Sequence, residues 1–191
     1  IDGGWTVKFS DDKEVYLPSL VPWNESADND IKYFSGTARY MCGLNIKKIR
    51  KEHRYILDLG DVKNLAVVRV NGIVCGTLWH SPFTIDITEA LHKGQNTIEI
   101  DVTNLWVNRM VGDEFEPDDV EWSEPKRFGD APNSPIVGRS MKRVPDWLKN
   151  ALPRPSKNRK AVVSFKYFNK DTPLLPSGMM GPVQLLIQKA E

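Results

Sequence analysis

The dipeptide Asn71-Gly72 constrains this chain more than any other feature. A two-residue type I′ turn needs φ > 0 at both central positions, which Asn tolerates and Gly adopts freely. Strand-like runs flank it, Ala66 to Val70 before and Ile73 to Trp79 after, so a hairpin is predicted here. Thr88-Glu89-Ala90-Leu91 reads as a short helical turn, and Gly94-Gln95-Asn96 turns the chain again. The strand that follows alternates: Ile98, Ile100 and Val102 point one way, Thr97, Glu99, Asp101 and Thr103 the other. Period-2 alternation of this length means one packed face and one wet face. The stretch from Leu65 to Asn104 therefore predicts the core of a β-sandwich.

A chain of 191 residues, 40% hydrophobic and 27% charged, is long enough to bury a sizeable core in one domain. Its formal net charge of +1 gives no general attraction to nucleic acid. No apolar run is long enough to cross a bilayer, so no membrane partner is expected. The chain opens Ile1-Asp2-Gly3-Gly4-Trp5 without Met or a signal-like apolar region, and we expect a piece of a longer polypeptide. Cys42 and Cys75 permit one disulfide, but their apolar, strand-like surroundings suit two buried thiols.

Taken in order, Trp5 to Phe9 and Val15 to Leu17 predict two strands joined by a turn at Asp11-Asp12-Lys13. Pro18, Pro22 and the polar run Asn24 to Asp30 predict a surface loop. A long strand, kinked at Gly36 and Gly43, is expected from Lys32 to Ile46, and Tyr55, Leu57 and Leu59 share one face of the next. Ala161 to Phe168 and Val183 to Ile187 return to strand, with a Gly-bounded turn at Ser177 to Pro182. About nine strands without βαβ alternation predict an all-β, antiparallel β-sandwich spanning 1–191. The pattern breaks in an insertion over 105–160. Its acidic block, Asp113 to Glu124, is followed by a basic block, Arg139 to Lys160, with a short helix at Pro145 to Leu152. The two blocks are expected to neutralise one another in part, and the basic one to present a solvated face.

No nucleophile elbow, phosphate loop, dinucleotide fingerprint or zincin pattern occurs. His53, His80 and His92 are dispersed and no Cys-x-x-Cys exists, which argues against zinc. Glycoside hydrolysis needs two carboxyl groups across a cleft, and the adjacent pair Asp113-Glu114 does not supply them, so no catalytic residue is assigned. No cofactor is expected. Calcium is the one possible ion, with Asp113, Glu114, Glu116, Asp118 and Asp119 offering oxygen ligands outside EF-hand spacing. Candidate contacts to a carbohydrate or a neighbouring domain are Trp79, His80, Asn104, Trp106, Asn108, Arg109, Asp113 and Glu114. An indole face stacks on a pyranose, while Asn and Arg hydrogen-bond its hydroxyls. The competing reading of Trp79 and Trp106 is core or interdomain packing. In the loop expected from Asn104 to Glu114, Arg109 is predicted to pair with Asp113 or Glu114, with Trp106 as the buried anchor.

Several of these runs carry a resemblance. Ser35 to Tyr40, Leu57 to Val62, Val70-Asn71-Gly72, Gly76-Thr77-Leu78-Trp79, Pro82-Phe83 and Asp86-Ile87-Thr88 resemble the galactose-binding-like jelly-roll module of large glycoside hydrolases. The sugar-binding domain of family 2 enzymes shares this hairpin-and-strand core. Val102 to Arg109, Gly112-Asp113-Glu114, Ser177-Gly178 and Gly181-Pro182-Val183 look closer to the C-terminal module of α-L-rhamnosidase-like enzymes of family 106. The match covers most of Trp5 to Gly112 and Val162 to Ile187, while the acidic and basic blocks match no pattern. In such enzymes the catalytic carboxylates sit in a separate (β/α) barrel, and nothing here resembles one. The resemblance thus implies a non-catalytic module of a secreted or periplasmic bacterial enzyme. Its partner would be the catalytic domain of the same polypeptide, and carbohydrate a further one. An autonomous, lectin-like carbohydrate-binding module is the alternative.

Overall fold

The computed structural model describes residues 1, 3–10, 13–127, 137–165 and 167–189. The expected turn at Asp11-Asp12 lies outside them. The chain divides into two compact units, Ile1–Trp106 with Leu175–Glu191, and Val107–Leu174. The first contains β1 (Trp5–Ser10), β2 (Lys13–Leu17), α1 (Asn29–Lys32), β3 (Thr37–Ile46), β4 (His53–Asp58), β5 (Asp61–Lys63), β6 (Leu65–Val70), β7 (Ile73–Leu78), β8 (Thr84–Asp86) and β9 (Gly94–Thr103). The second holds α2 (Val107–Asp113), β10 (Lys126–Arg127), β11 (Val137–Gly138) and α3 (Asp146–Lys149). The chain then returns to the first unit with β12 (Gly178–Gly181) and β13 (Gln184–Lys189).

The first unit is a β-sandwich. One layer is a six-stranded sheet in the order β2-β1-β3-β9-β6-β7; the other comprises β13-β4-β8 and β12-β5. The alternation read from the sequence sets the inner face: Ile98, Ile100 and Val102 are fully buried beside Val68, Val70 and Tyr40. Tyr55, Leu57 and Leu59 are buried from the opposite layer. Each such side chain contributes roughly 1.5–3 kcal/mol of burial free energy. On the outer face Asp101 is gripped by Arg39, with bonds of 2.6 and 3.0 Å, and by Arg69 at 2.5 Å. Those guanidiniums, Arg39 foremost, hold its carboxyl below the usual carboxylate range.

The predicted hairpin forms between β6 and β7, with Asn71 at φ 52° and Gly72 at φ 79°. Asn71 does more than turn the chain. Its amide nitrogen donates to Ala90 O and Asn96 Oδ1, both at 2.8 Å, and its oxygen accepts from Thr97 N–H at 2.9 Å. Buried Asn96 in turn donates to His92 O and Gly94 O. An aromatic plug fills one part of the core. Trp23 stacks on Tyr40 and meets Phe9 and Phe34 edge-on. Its Nε1–H donates to Tyr40 Oη at 2.6 Å, and Met179 N–H donates to the same oxygen at 3.1 Å. Burial pushes the Tyr40 hydroxyl up to about 12. Gly178, at φ +95°, is required here, since a Cβ would lie 2.6 Å from the Trp23 ring nitrogen.

Several sequence expectations need correction. The long strand begins at Thr37, and Lys32 ends a one-turn helix whose N-cap, Asp28, accepts from Asp30 N–H at 2.9 Å. Polar neighbours hid that turn. Ser177 to Pro182 is not only a turn, because Gly178–Gly181 pairs with β5. Ala161 to Phe168 forms no strand among its described residues beyond a bridge from Phe165 to Gly138; Lys166 lies outside them. Its start is held by a side chain, with Ala161 N–H donating to Asp113 at 2.6 Å, and Ser164 O accepts from Arg139 N–H at 2.6 Å. Among the described residues thirteen strands form against about nine expected, the extra ones being mostly two to four residues long. Cys42 and Cys75 are both free and partly buried; burial pushes the Cys42 thiol up to about 12 and raises Cys75.

Candidate functional site

The strand register gathers four candidate residues at one end of the six-stranded sheet. Thr103 pairs with Thr37 and with Leu65, and Ala66 pairs with Leu78. Trp79 and His80, just past β7, and Asn104 to Trp106, just past β9, therefore leave the sheet at the same end. Asn104 is buried and serves the chain itself: its oxygen accepts from Gly36 N–H at 3.0 Å and its amide donates to Phe34 O at 2.8 Å. Turning Asn104 inward sends the next two side chains outward. Leu105 is 50% and Trp106 55% exposed, which overturns Trp106 as a buried anchor. Trp79 is 71% exposed, so it is no core residue. His80 stands edge-on to its indole at 4.8 Å, and its Nδ1–H donates to Ser81 O at 2.8 Å. This end of the sheet presents two indoles and a leucine to the outside.

The other candidates belong to the second unit. Asn104 to Glu114 was expected as a loop, yet Val107–Asp113 is helical. The helix sets Arg109 and Asp113 one turn apart, and they pair at 2.8 Å, as the local clasp reading required. Asn108 and Asp113 are buried, and Glu114 is half-buried. The Asp113 carboxylate also accepts from the main-chain N–H of Lys160 and Ala161. Asp113 is thus a structural anchor, with both oxygens engaged by the chain.

The acidic block meets the basic block, as their opposite signs suggested. Arg154 grips Asp119 with two bonds, 2.6 and 3.0 Å, and its guanidinium lies 5.0 Å from the Trp147 ring centre. Arg139 and Arg159 each approach Asp118 at 3.4 Å. Buried Arg159 also donates to the carbonyls of Glu116 and Pro117. The basic block is therefore not simply a solvated face. The calcium set fares poorly: among the described residues no three carboxylates, imidazoles or thiols converge on a common point. The oxygens of Asp113, Asp118 and Asp119 face guanidiniums or main-chain N–H groups, where a cation would be repelled.

One cluster was missed at the sequence level. The turn between β3 and β4, with the first two residues of β4, carries Lys47, Lys48, Arg50, Lys51, His53 and Arg54, six basic side chains in eight residues. Asn45, Ile46, Lys47, Lys48, Arg50, His53, Tyr55 and Ile187 line a cavity of about 430 Å³. The density of basic residues was the available signal. The overall charge near zero concealed it.

No family model matches the chain. Along 98% of its length it is 38% identical to a protein of Formosa agariphila named "Putative beta-glucuronidase", and it spans 16% of that protein. Among solved structures it superposes on a rhamnosidase from Novosphingobium sp. PP1Y with a TM-score of 0.72 at 33% identity. That match covers 98% of this chain and 15% of the rhamnosidase. A β-D-glucuronidase of Dictyoglomus thermophilum matches 55% of the chain at 26% identity and a TM-score of 0.50, over 19% of its own length. The chain thus spans less than a fifth of each relative, and it is similar to one module-sized stretch of these larger glycoside hydrolases.

Proposed function

We propose that this chain is a non-catalytic β-sandwich module of a larger bacterial glycoside hydrolase of α-L-rhamnosidase type, packing on the catalytic domain of the same polypeptide. The observation that carries the reading is the match of nearly the whole chain to 15% of a rhamnosidase at a TM-score of 0.72. The site chemistry agrees with it. Asp113, the first residue of the carboxylate pair Asp113-Glu114, is engaged by Arg109 and two main-chain amides. Trp79, Leu105 and Trp106 form an apolar end of the sheet of the kind that another domain covers. A C-terminal, family 106 placement, a jelly-roll ancestry and a periplasmic or extracellular location belong to the same proposal.

A carbohydrate-binding role is the second reading, favoured by the open Trp79 indole with His80 at its edge. The isolated chain should hydrolyse aryl α-L-rhamnosides, β-glucuronides and β-galactosides at background rates only. In the full polypeptide, Trp106→Ala together with Leu105→Ser should lower the melting temperature by several degrees. Turnover by the isolated chain, lost on Glu114→Gln, would overturn the reading. Rhamnose or galactose binding abolished by Trp79→Ala at unchanged stability would replace it with the carbohydrate-binding one.

A further inference from the structure

We infer that the cavity behind the β3–β4 turn binds the anionic group, carboxylate or sulfate ester, of an acidic saccharide. Lys47, Lys48, Arg50 and His53 line it, and Ile46, Tyr55 and Ile187 supply an apolar wall against which a sugar ring's C–H face can lie. Its volume of about 430 Å³ is that of a small-ligand pocket, room for one or two sugar residues.

The turn that carries the cations is built rather than loose. The Tyr55 hydroxyl accepts from Arg50 N–H at 3.0 Å and donates to Lys48 O at 3.4 Å, and His53 N–H donates to Arg50 O at 3.1 Å. Register pairs Ile187 with Tyr55 and Lys189 with His53, so β13 forms part of the wall and brings another lysine to the same edge.

Two observations separate this cluster from an ordinary solvated surface. His53 Nδ1 is buried without a hydrogen-bond partner among the described residues, although buried polar atoms are nearly always satisfied. Among the described residues none of Lys47, Lys48 and Arg50 faces a carboxylate within ion-pair distance. Arg139, Arg154 and Arg159 of the second unit are all paired. Glu52, the single acid of the turn, is exposed and does not line the cavity. A pocket with an apolar wall fits a sugar acid better than nucleic acid, which needs a track of cations and exposed rings for stacking.

The saccharide half of this inference rests on the module reading above; the anion half rests on the pocket. The test is titration of the chain, followed by amide chemical shifts, with four probes of matched length or charge. These are an oligo-hexuronate, a sulfated oligosaccharide, a neutral oligosaccharide and single-stranded DNA, with inorganic sulfate added alone as a fifth. One of the two acidic oligosaccharides should shift Lys48, Arg50, His53 and Ile187, and which one does so identifies the anion. Its affinity should fall at least tenfold in Arg50→Ala and in His53→Phe, whose amide spectra elsewhere stay unchanged, and should weaken with salt. The neutral oligosaccharide should leave these residues unmoved. Absence of binding by both acidic probes overturns the inference. So does inorganic sulfate binding as tightly as the oligosaccharides, which would mean an adventitious ion only, or tighter binding of DNA. Repeating Arg50→Ala in the full polypeptide separates the two proposals: activity on a neutral rhamnoside reports on the module reading and should not change with it.

Discussion

The two units are held by different physics. The first buries Trp5, Trp23, Tyr40, Tyr55, Leu57, Ile98 and Ile100 between two β-layers. The second buries Asn108, Asp113 and Arg159, with Val111 and Val120 as its buried apolar side chains among the described residues. Where apolar surface is scarce, arginine–aspartate pairs and guanidinium–indole contacts supply the cross-links. Arg139 lies 4.2 Å from the Trp122 ring centre, matching Arg154 over Trp147. Lys142, Lys149, Lys157 and Lys160 of the same basic block stay exposed, as does Arg143. A planar guanidinium makes several directed bonds and stacks on rings, whereas an ammonium is a compact, strongly hydrated charge. A mixed basic run thus sorts itself, mostly, into inward arginines and outward lysines.

The contrast can be broken from either side. Trp23→Ala removes the centre of the aromatic plug and should cost about 3–5 kcal/mol in urea denaturation. Hydrogen-exchange protection should fall in β1, β3 and β12, and a cost well under that range would show that the plug is not a core element. In the second unit Asp113→Ala removes the carboxylate that meets Arg109 Nε and two main-chain donors. It should cost about 3 kcal/mol, read as lost protection over 107–121 and 159–161. Unchanged protection there would mean that ion pairs do not hold this unit.

A smaller change sharpens the first half of the comparison. Asn71→Gly keeps the left-handed turn and removes three side-chain hydrogen bonds, so a loss of about 1–2 kcal/mol is expected. A neutral result would reduce Asn71 to turn chemistry alone. The mildest lever is acid. Asp101 and Asp119 are held below the usual carboxylate range, by Arg39 and Arg154 first in each case. A lowered folded-state value means stability that is complete above the unfolded value, about pH 4, and is lost as pH falls further. Denaturation midpoints should therefore be flat from pH 5 to 8 as far as these two groups are concerned. A decline should begin below about pH 4, and Asp119→Asn should flatten the decline in the second unit alone.

Sequence alone determined the sandwich. Ile98, Ile100 and Val102 alternate with polar partners, and a period of two admits one register against a buried layer. Asn71-Gly72 fixed the hairpin because few dipeptides accept positive φ twice. The opposite signs of the acidic and basic blocks predicted their meeting, and the spacing of Arg109 and Asp113 allowed their pair once the segment was helical. Only the tertiary structure decided which polar residues serve the fold. Asn104 looked like a ligand contact, yet Gly36 and Phe34, 68 and 70 residues away in sequence, take its amide. Trp106 looked like an anchor and faces outward, because the inward turn of Asn104 leaves it no buried place. The second unit was illegible for a related reason. Its order comes from single long-range bonds, Arg154 to Asp119 and Ala161 to Asp113, and such bonds leave no periodic mark on the chain. The basic pocket shares that cause: a run of lysine and arginine reads as solvated surface until Tyr55 of β4 and Ile187 of β13 are seen to line one cavity with it.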